Sequence, residues 1–141
     1  MNDNFLETRS IMAVEDHEDA ANSTANLLRH YGHRMVVDQT GGAALELAAD
    51  DPPDVVLLDI RLPDLDGWEV ARWLREQARG AQKRPLLVAA TGCKSDAEIC
   101  RSNLAGIDLH LVKPVDPAVL VGLVSRFSRV FALSSPVNAS E

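Results

Sequence analysis

The sequence predicts an α/β fold in which five parallel strands form a doubly wound sheet with helices on both faces. Short apolar runs alternate with amphipathic stretches along the chain, a βα unit repeated five times, and such alternation implies a parallel sheet. The central run, Val55–Leu58, is apolar without interruption, as in a strand buried on both faces. The boundaries between runs carry helix-capping residues, glycine or proline.

In order, Ser10–Val14 reads as the first strand and Asp19–Tyr31 as the first helix. That helix places Ala20, Thr24, Leu27, Leu28 and Tyr31 on one face, and Gly32 is positioned to end it. His33–Asp38 is the second strand. Thr40 caps a helix over Gly41–Ala49, which Pro52 and Pro53 prevent from continuing. Asp54–Leu58 is the third strand. Asp66-Gly67-Trp68-Glu69 has the form of a capping box and opens a helix to about Arg79. Pro85–Ala90 is the fourth strand, and Ser95-Asp96-Ala97-Glu98 is a second capping box, opening a helix to about Ala105. Ile107–Val112 is the fifth strand. Asp116 caps the last helix, with Pro117 at its first position and Leu120, Leu123, Val124 and Phe127 on one face. The expected organisation is an N-terminal extension over 1–8, one domain over 9–131 and a polar tail over 132–141. Trp68 and Trp73 both read as helix-packing residues, and His17, His30 and His33 as surface residues.

Composition narrows the function. A chain of 141 residues suits one domain with a sizeable core, and 46% hydrophobic with 25% charged residues is ordinary for a globular protein. A net charge of −7 argues against nucleic acid as a partner. No apolar run approaches the roughly 20 residues of a membrane helix, and no signal-peptide pattern opens the chain. Cys93 and Cys100 lack metal-ligand spacing and read as reduced thiols, so the expected location is cytoplasmic, with no membrane partner.

In open parallel sheets, function gathers at the carboxyl ends of the strands. Glu15 and Asp16 follow the first strand, Asp59 follows the third, Thr91 and Gly92 the fourth, and Lys113 and Pro114 the fifth. With the strand order 2-1-3-4-5, the first and third strands are neighbours, which brings three carboxylates together. Close carboxylates repel, and a hard divalent cation relieves that repulsion; Mg²⁺ suits a few carboxylates plus waters. Lys113 alone cannot neutralise three acids. A carboxylate beside Mg²⁺ and a lysine is a nucleophile suited to phosphorus, giving an aspartyl phosphate, and Thr91 can donate to a phosphoryl oxygen. Asp59 then interrupts an apolar run because the strand is a rigid arm that presents it at the sheet edge.

Val14-Glu15-Asp16, Val56-Leu57-Leu58-Asp59 with Pro63-Asp64-Leu65-Asp66-Gly67, Ala90-Thr91-Gly92 and Leu111-Val112-Lys113-Pro114 together resemble, in order and spacing, the receiver domain of two-component response regulators. The resemblance covers about residues 9–131 and implies a flavodoxin-like fold. It implies that Asp59 accepts a phosphoryl group from a histidine kinase or a histidine phosphotransfer protein. Glu15, Asp16 and Asp59 would hold Mg²⁺, with the backbone carbonyl of Arg61 as a further ligand. Thr91 would move toward the phosphoryl group, Lys113 would pair with it, and Lys113–Pro114 is a candidate cis peptide. The Arg61 side chain would hang over the pocket and influence phosphoryl lifetime.

His110 is a departure, standing where such domains usually carry tyrosine or phenylalanine. It would repack as Thr91 moves, and a downstream protein would read the surface of the fourth helix, fifth strand and last helix (95–105, 107–112 and 116–131). The implied role is a phospho-acceptor signalling module rather than an enzyme, either stand-alone or excised from a hybrid sensor kinase. The alternative class, a haloacid-dehalogenase-like phosphohydrolase, requires a second acid two residues after the nucleophile, where this chain has Arg61, and a cap for which it lacks room. A dinucleotide site is weaker still, because the turn Glu15–Asp19 is acidic and glycine-free and would repel a pyrophosphate.

Overall fold

The computed structural model describes residues 9–81, 84–92 and 95–125. It contains β1 (Ser10–Val14), α1 (Glu18–His30), β2 (Arg34–Asp38), α2 (Gly41–Asp50), β3 (Val55–Asp59), α3 (Gly67–Ala78), β4 (Leu86–Thr91), α4 (Asp96–Ala105) and β5 (Leu109–Val112). A last helix, α5, has residues 117–125 described. The expected 1–8 extension, the 132–141 tail, Cys93 and Phe127 lie outside the described residues.

The sheet order is β2-β1-β3-β4-β5 and every pairing is parallel. The flavodoxin-like arrangement expected from the sequence is therefore the observed one. Side-chain alternation along the strands divides the interior in two. Met12, Val14, Val56, Leu58, Leu87 and Ala89 point to the face covered by α2, α3 and α4, where Trp68, Val70, Ala71 and Leu74 meet them. Ile11, Ala13, Val55 and Val88 point to the other face, where Ala25 and Leu28 of α1 and Leu120 and Val124 of α5 cover them. All β3 residues except the half-buried Leu57 are buried, with side chains packed on both faces, as the uninterrupted apolar run requires.

The helix starts behave as their capping residues dictate. The side-chain oxygens of Thr40, Asp66 and Ser95 accept from the N–H groups of Ala43, Glu69 and Glu98 at 3.2, 2.9 and 3.2 Å. Asp116 accepts from the Ala118 N–H at 2.8 Å. Asp64 adds a cap across sequence: its two carboxylate oxygens accept from the Gly41 and Gly42 N–H groups, each at 2.9 Å. The loop after β3 is thereby pinned to the start of α2. Among the described residues, no helix is long and apolar enough to cross a membrane.

Several expectations need correction. The buried stripe of α1 is Ala21, Ala25 and Leu28, while Ala20 is exposed and Tyr31 is 49% exposed. The two small alanines let the helix approach the sheet closely, which turns larger side chains to the flank. Trp68 packs in the core, but Trp73 is 56% exposed, because it falls outside the stripe formed by Gly67, Trp68, Val70, Ala71 and Leu74. His33 is buried rather than at the surface, and its Nδ1 accepts from the Arg9 N–H at 3.2 Å. Asp59 is the last residue of β3 itself, paired in register with Ala90 of β4.

Candidate functional site

Strand order decides what meets at the carboxyl edge. β1 and β3 are direct neighbours, so Glu15 and Asp16 emerge beside Asp59. Lys113 follows β5, and its backbone N–H donates to the Thr91 carbonyl at 2.7 Å. That bond ties the start of the following loop to the end of β4. The Lys113–Pro114 peptide is cis.

Asp59 is almost fully enclosed, with its side chain 7% exposed. Its Oδ1 accepts from the Arg61 N–H at 3.2 Å, and its Oδ2 lies 3.4 Å from Lys113 Nζ. Lys113 Nζ is nearer to Glu15 Oε1, at 3.1 Å. The Glu15 N–H donates to the carbonyl of Asp38 at 2.9 Å, so the buried end of β2 holds the turn that carries the acids. His17 closes the group: its Nδ1 is 3.1 Å from Glu15 Oε2 and 3.4 Å from Asp16 Oδ1. One donor atom from each of Glu15, Asp16, His17 and Asp59 lies within 4.8 Å of the others.

The protonation energetics follow from this geometry. Burial pushes the Asp59 carboxyl up and the Glu15 charge adds to the rise, while the Arg61 N–H and Lys113 oppose it; the result lies above the usual aspartate range. Burial also pushes Glu15 up, but hydrogen bonds from the His17 N–H, Lys113 and the His17 ring outweigh it and hold Glu15 below its ordinary value. Burial disfavours the Lys113 charge, yet Glu15 and Asp59 more than compensate and raise it. His17 is raised through its hydrogen bond to Glu15 and the nearby Asp16 charge. Lys113 therefore mainly serves Glu15, and Asp59 remains an under-compensated carboxylate. The oxygen-rich donors and the surplus of negative charge fit a hard divalent cation.

Of the residues singled out from sequence, the structure brings Glu15, Asp16, Asp59 and Lys113 into one cluster. Thr91 is buried at the end of β4, one position beyond the residue paired with Asp59. Arg61 contributes its N–H to Asp59, and its side chain is exposed. His110 is half-buried on β5 opposite Ala89 and does not belong to the cluster. Sequence reasoning placed His17 at the surface, where it is, but not in the cluster, although its place directly after Asp16 was the available signal. It also missed the Asp64 clamp, for which no local signal exists, since its partners lie 22 and 23 residues away. A cavity of about 650 Å³ opens beside Asp59, Glu15 and Lys113 and runs beneath α1, lined by Ala20, Thr24 and Leu120 among others.

Comparison with known proteins gives a consistent result. The family model for the response regulator receiver domain matches residues 11–125. The polar-differentiation response regulator DivK of Brucella ovis is 32% identical over 108 residues, 77% of this chain and 86% of that protein. The BeF₃-activated N-terminal receiver domain of Klebsiella pneumoniae RstA superposes with a TM-score of 0.71 at 33% identity, covering 84% of this chain and 95% of that one. A CheY-like receiver domain protein from Methanospirillum hungatei gives a TM-score of 0.75 at 26% identity, covering 85% and 93%. With five parallel strands in the order 2-1-3-4-5, acids and a lysine gathered at their carboxyl edge, and a family match over most of its length, the chain belongs to the response regulator receiver domain family.

Proposed function

We propose that Asp59 is the phosphoryl acceptor of this receiver, and that the donor is a phosphohistidine on a histidine kinase or a histidine phosphotransfer protein. The observation that carries this is the placement of Asp59: a nearly buried carboxylate at the end of the central strand, 3.4 Å from Lys113 Nζ and within 4.8 Å of further acids. An Asp59 carboxylate oxygen attacks phosphorus, the P–N bond of the phosphohistidine breaks, and the departing imidazole keeps the electron pair and takes up a proton. Burial supports the nucleophile by keeping Asp59 more basic than a solvated aspartate. The Lys113 ammonium is positioned to move from Glu15 toward the new phosphoryl oxygens, and the Thr91 hydroxyl is one strand away to donate to another.

Glu15, Asp16 and Asp59, with the Arg61 backbone carbonyl, would hold Mg²⁺. When bound, Mg²⁺ neutralises charge on the phosphoryl oxygens. Arg61, whose side chain is exposed, would tune how fast water reaches the acyl phosphate.

Output would pass through α4, β5 and α5. Leu104, Leu109, Val112 and Val119 are exposed apolar residues on that surface, at 82, 39, 42 and 51%, which suits a protein partner. His110 sits on the same strand and would repack when Thr91 moves. The phosphohydrolase alternative is disfavoured by Arg61, which replaces the required acid. The test is incubation with acetyl phosphate and Mg²⁺ followed by intact-mass measurement. One phosphoryl group is expected on the wild type and none on Asp59→Asn; a variant that still gains one removes Asp59 from the role.

A further inference from the structure

We propose that His17 is a nitrogen donor in the divalent-cation site beside Asp59, so that this one side chain strengthens the site's preference for an imidazole-binding transition ion such as Ni²⁺ or Zn²⁺ over Mg²⁺. This extends the cation-site reading above and rests on it. His17 immediately precedes α1, at φ −84° and ψ 109°, yet its side chain makes no capping hydrogen bond. The ring instead turns back over the acids, with Nδ1 at 3.1 Å from Glu15 Oε2 and 3.4 Å from Asp16 Oδ1. The His17 N–H donates to the same Glu15 oxygen at 3.1 Å, which fixes the backbone from which the ring projects. The ring is 77% exposed, so packing does not dictate its direction; the carboxylates do.

The resulting donor set is three carboxylates and one imidazole, mutually within 4.8 Å. Donors bound about 2.1 Å from a shared ion lie roughly 3–4 Å from one another, so a small inward adjustment suffices. The chemistry of the set separates cations. Mg²⁺ prefers oxygen ligands and gives up water reluctantly, so it gains little from the imidazole. Ni²⁺ and Zn²⁺ bind imidazole well and stand higher in the Irving–Williams order. His17 therefore sets the preference between ion classes while the three acids set the affinity for Mg²⁺.

The experiment is calorimetric titration of the full chain with MgCl₂ and with NiCl₂, for wild type, His17→Gln and His30→Gln. His17 is exposed and makes no capping bond, so its replacement leaves folding intact. The expected result is Ni²⁺ binding at one equivalent, weakened by saturating Mg²⁺ because the two ions share the site. In His17→Gln the Ni²⁺ affinity falls by at least about tenfold while the Mg²⁺ affinity changes by less than about twofold. His30→Gln behaves as wild type. If His17 is only an ion-pair partner of Glu15, its removal shifts both ions by the same factor, and the proposal is overturned. It is equally overturned if Mg²⁺ fails to compete with Ni²⁺. A wild type that binds no Mg²⁺ at millimolar concentration removes the cation-site reading itself, whereas intact Mg²⁺ binding with unaltered Ni²⁺ affinity in the variant removes His17 alone.

Discussion

Replacing Gly67 by alanine tests how tightly the start of α3 is wedged against the strand that carries Asp59. A Cβ at position 67 would lie 2.6 Å from the Ile60 Cα, 2.7 Å from the Asp59 carbonyl oxygen and 3.1 Å from the Ile60 Cδ1. Two of these are backbone atoms and cannot rotate away. The Gly67 N–H also donates to the Ile60 carbonyl at 2.7 Å, and any retreat of the helix weakens that bond. Overpacking costs about 1–3 kcal/mol, and weakening one hydrogen bond about 1 kcal/mol more. The better helix propensity of alanine returns up to about 1 kcal/mol. The net loss is about 1–3 kcal/mol, or roughly 3–15 °C in melting temperature for a domain of this size. Two controls share the chemistry but not the geometry. At Gly41 the nearest atom is the side-chain Val70 Cγ2 at 2.7 Å, a side-chain rather than a backbone atom, and at Gly92 nothing lies within 4 Å. Thermal melts followed by circular dichroism should rank the alanine variants Gly92 most stable, Gly41 intermediate and Gly67 least. A Gly67→Ala protein that melts with the wild type would refute the wedge.

Three other outcomes are expected. Arg75→Ala should destabilise by about 2–3 kcal/mol in denaturant titration, because Arg75 holds the carbonyls of Gly106 and Pro85 at 2.9 and 2.8 Å as well as Asp108, which would lose one of its counter-ions and keep Arg84; a loss no larger than that of Arg79→Ala would contradict this. His33, depressed below 6.5 by burial and by Arg9, takes up protons more readily unfolded than folded, so stability should fall as pH drops from 6.5 toward the lower folded value, and His33→Asn should flatten that part of the profile. Equal slopes in wild type and variant would discard the assignment. Asp64, held below 3.8 by the Gly42 and Gly41 N–H groups, stabilises at neutral pH and loses that contribution as pH falls through its folded value. The melting-temperature gap between wild type and Asp64→Asn should therefore be open at pH 7 and close in acid, and a gap independent of pH would rule out the clamp.

Element type and order were legible because two local rules recur along the chain. Capping residues are local, and Thr40, Asp66 and Ser95 each cap the helix that follows them. The apolar run at Val55–Leu58 is equally local, and its burial on both faces is what an interior parallel strand demands. Which face of a helix turns inward is less local. For α1, a stripe read from helical periodicity included Ala20 and Tyr31, whereas packing on the sheet selected Ala21 and Ala25 beside Leu28. Trp73 misled for the same reason: hydrophobicity does not force burial when the neighbouring helix positions already fill the interface.

The site divides along the same line. By itself, the sequence determined that acids follow the first and third strands, a threonine the fourth and a lysine the fifth, and a parallel sheet then requires them to share one edge. Tertiary structure alone decided how charge is apportioned there. Lys113 lies closer to Glu15 than to Asp59, and the Asp38 carbonyl holds the acidic turn. These choices depend on differences of a few tenths of an ångström and on how far each group is removed from water. Residue spacing along a chain encodes neither, because both arise only when segments distant in sequence are packed against one another.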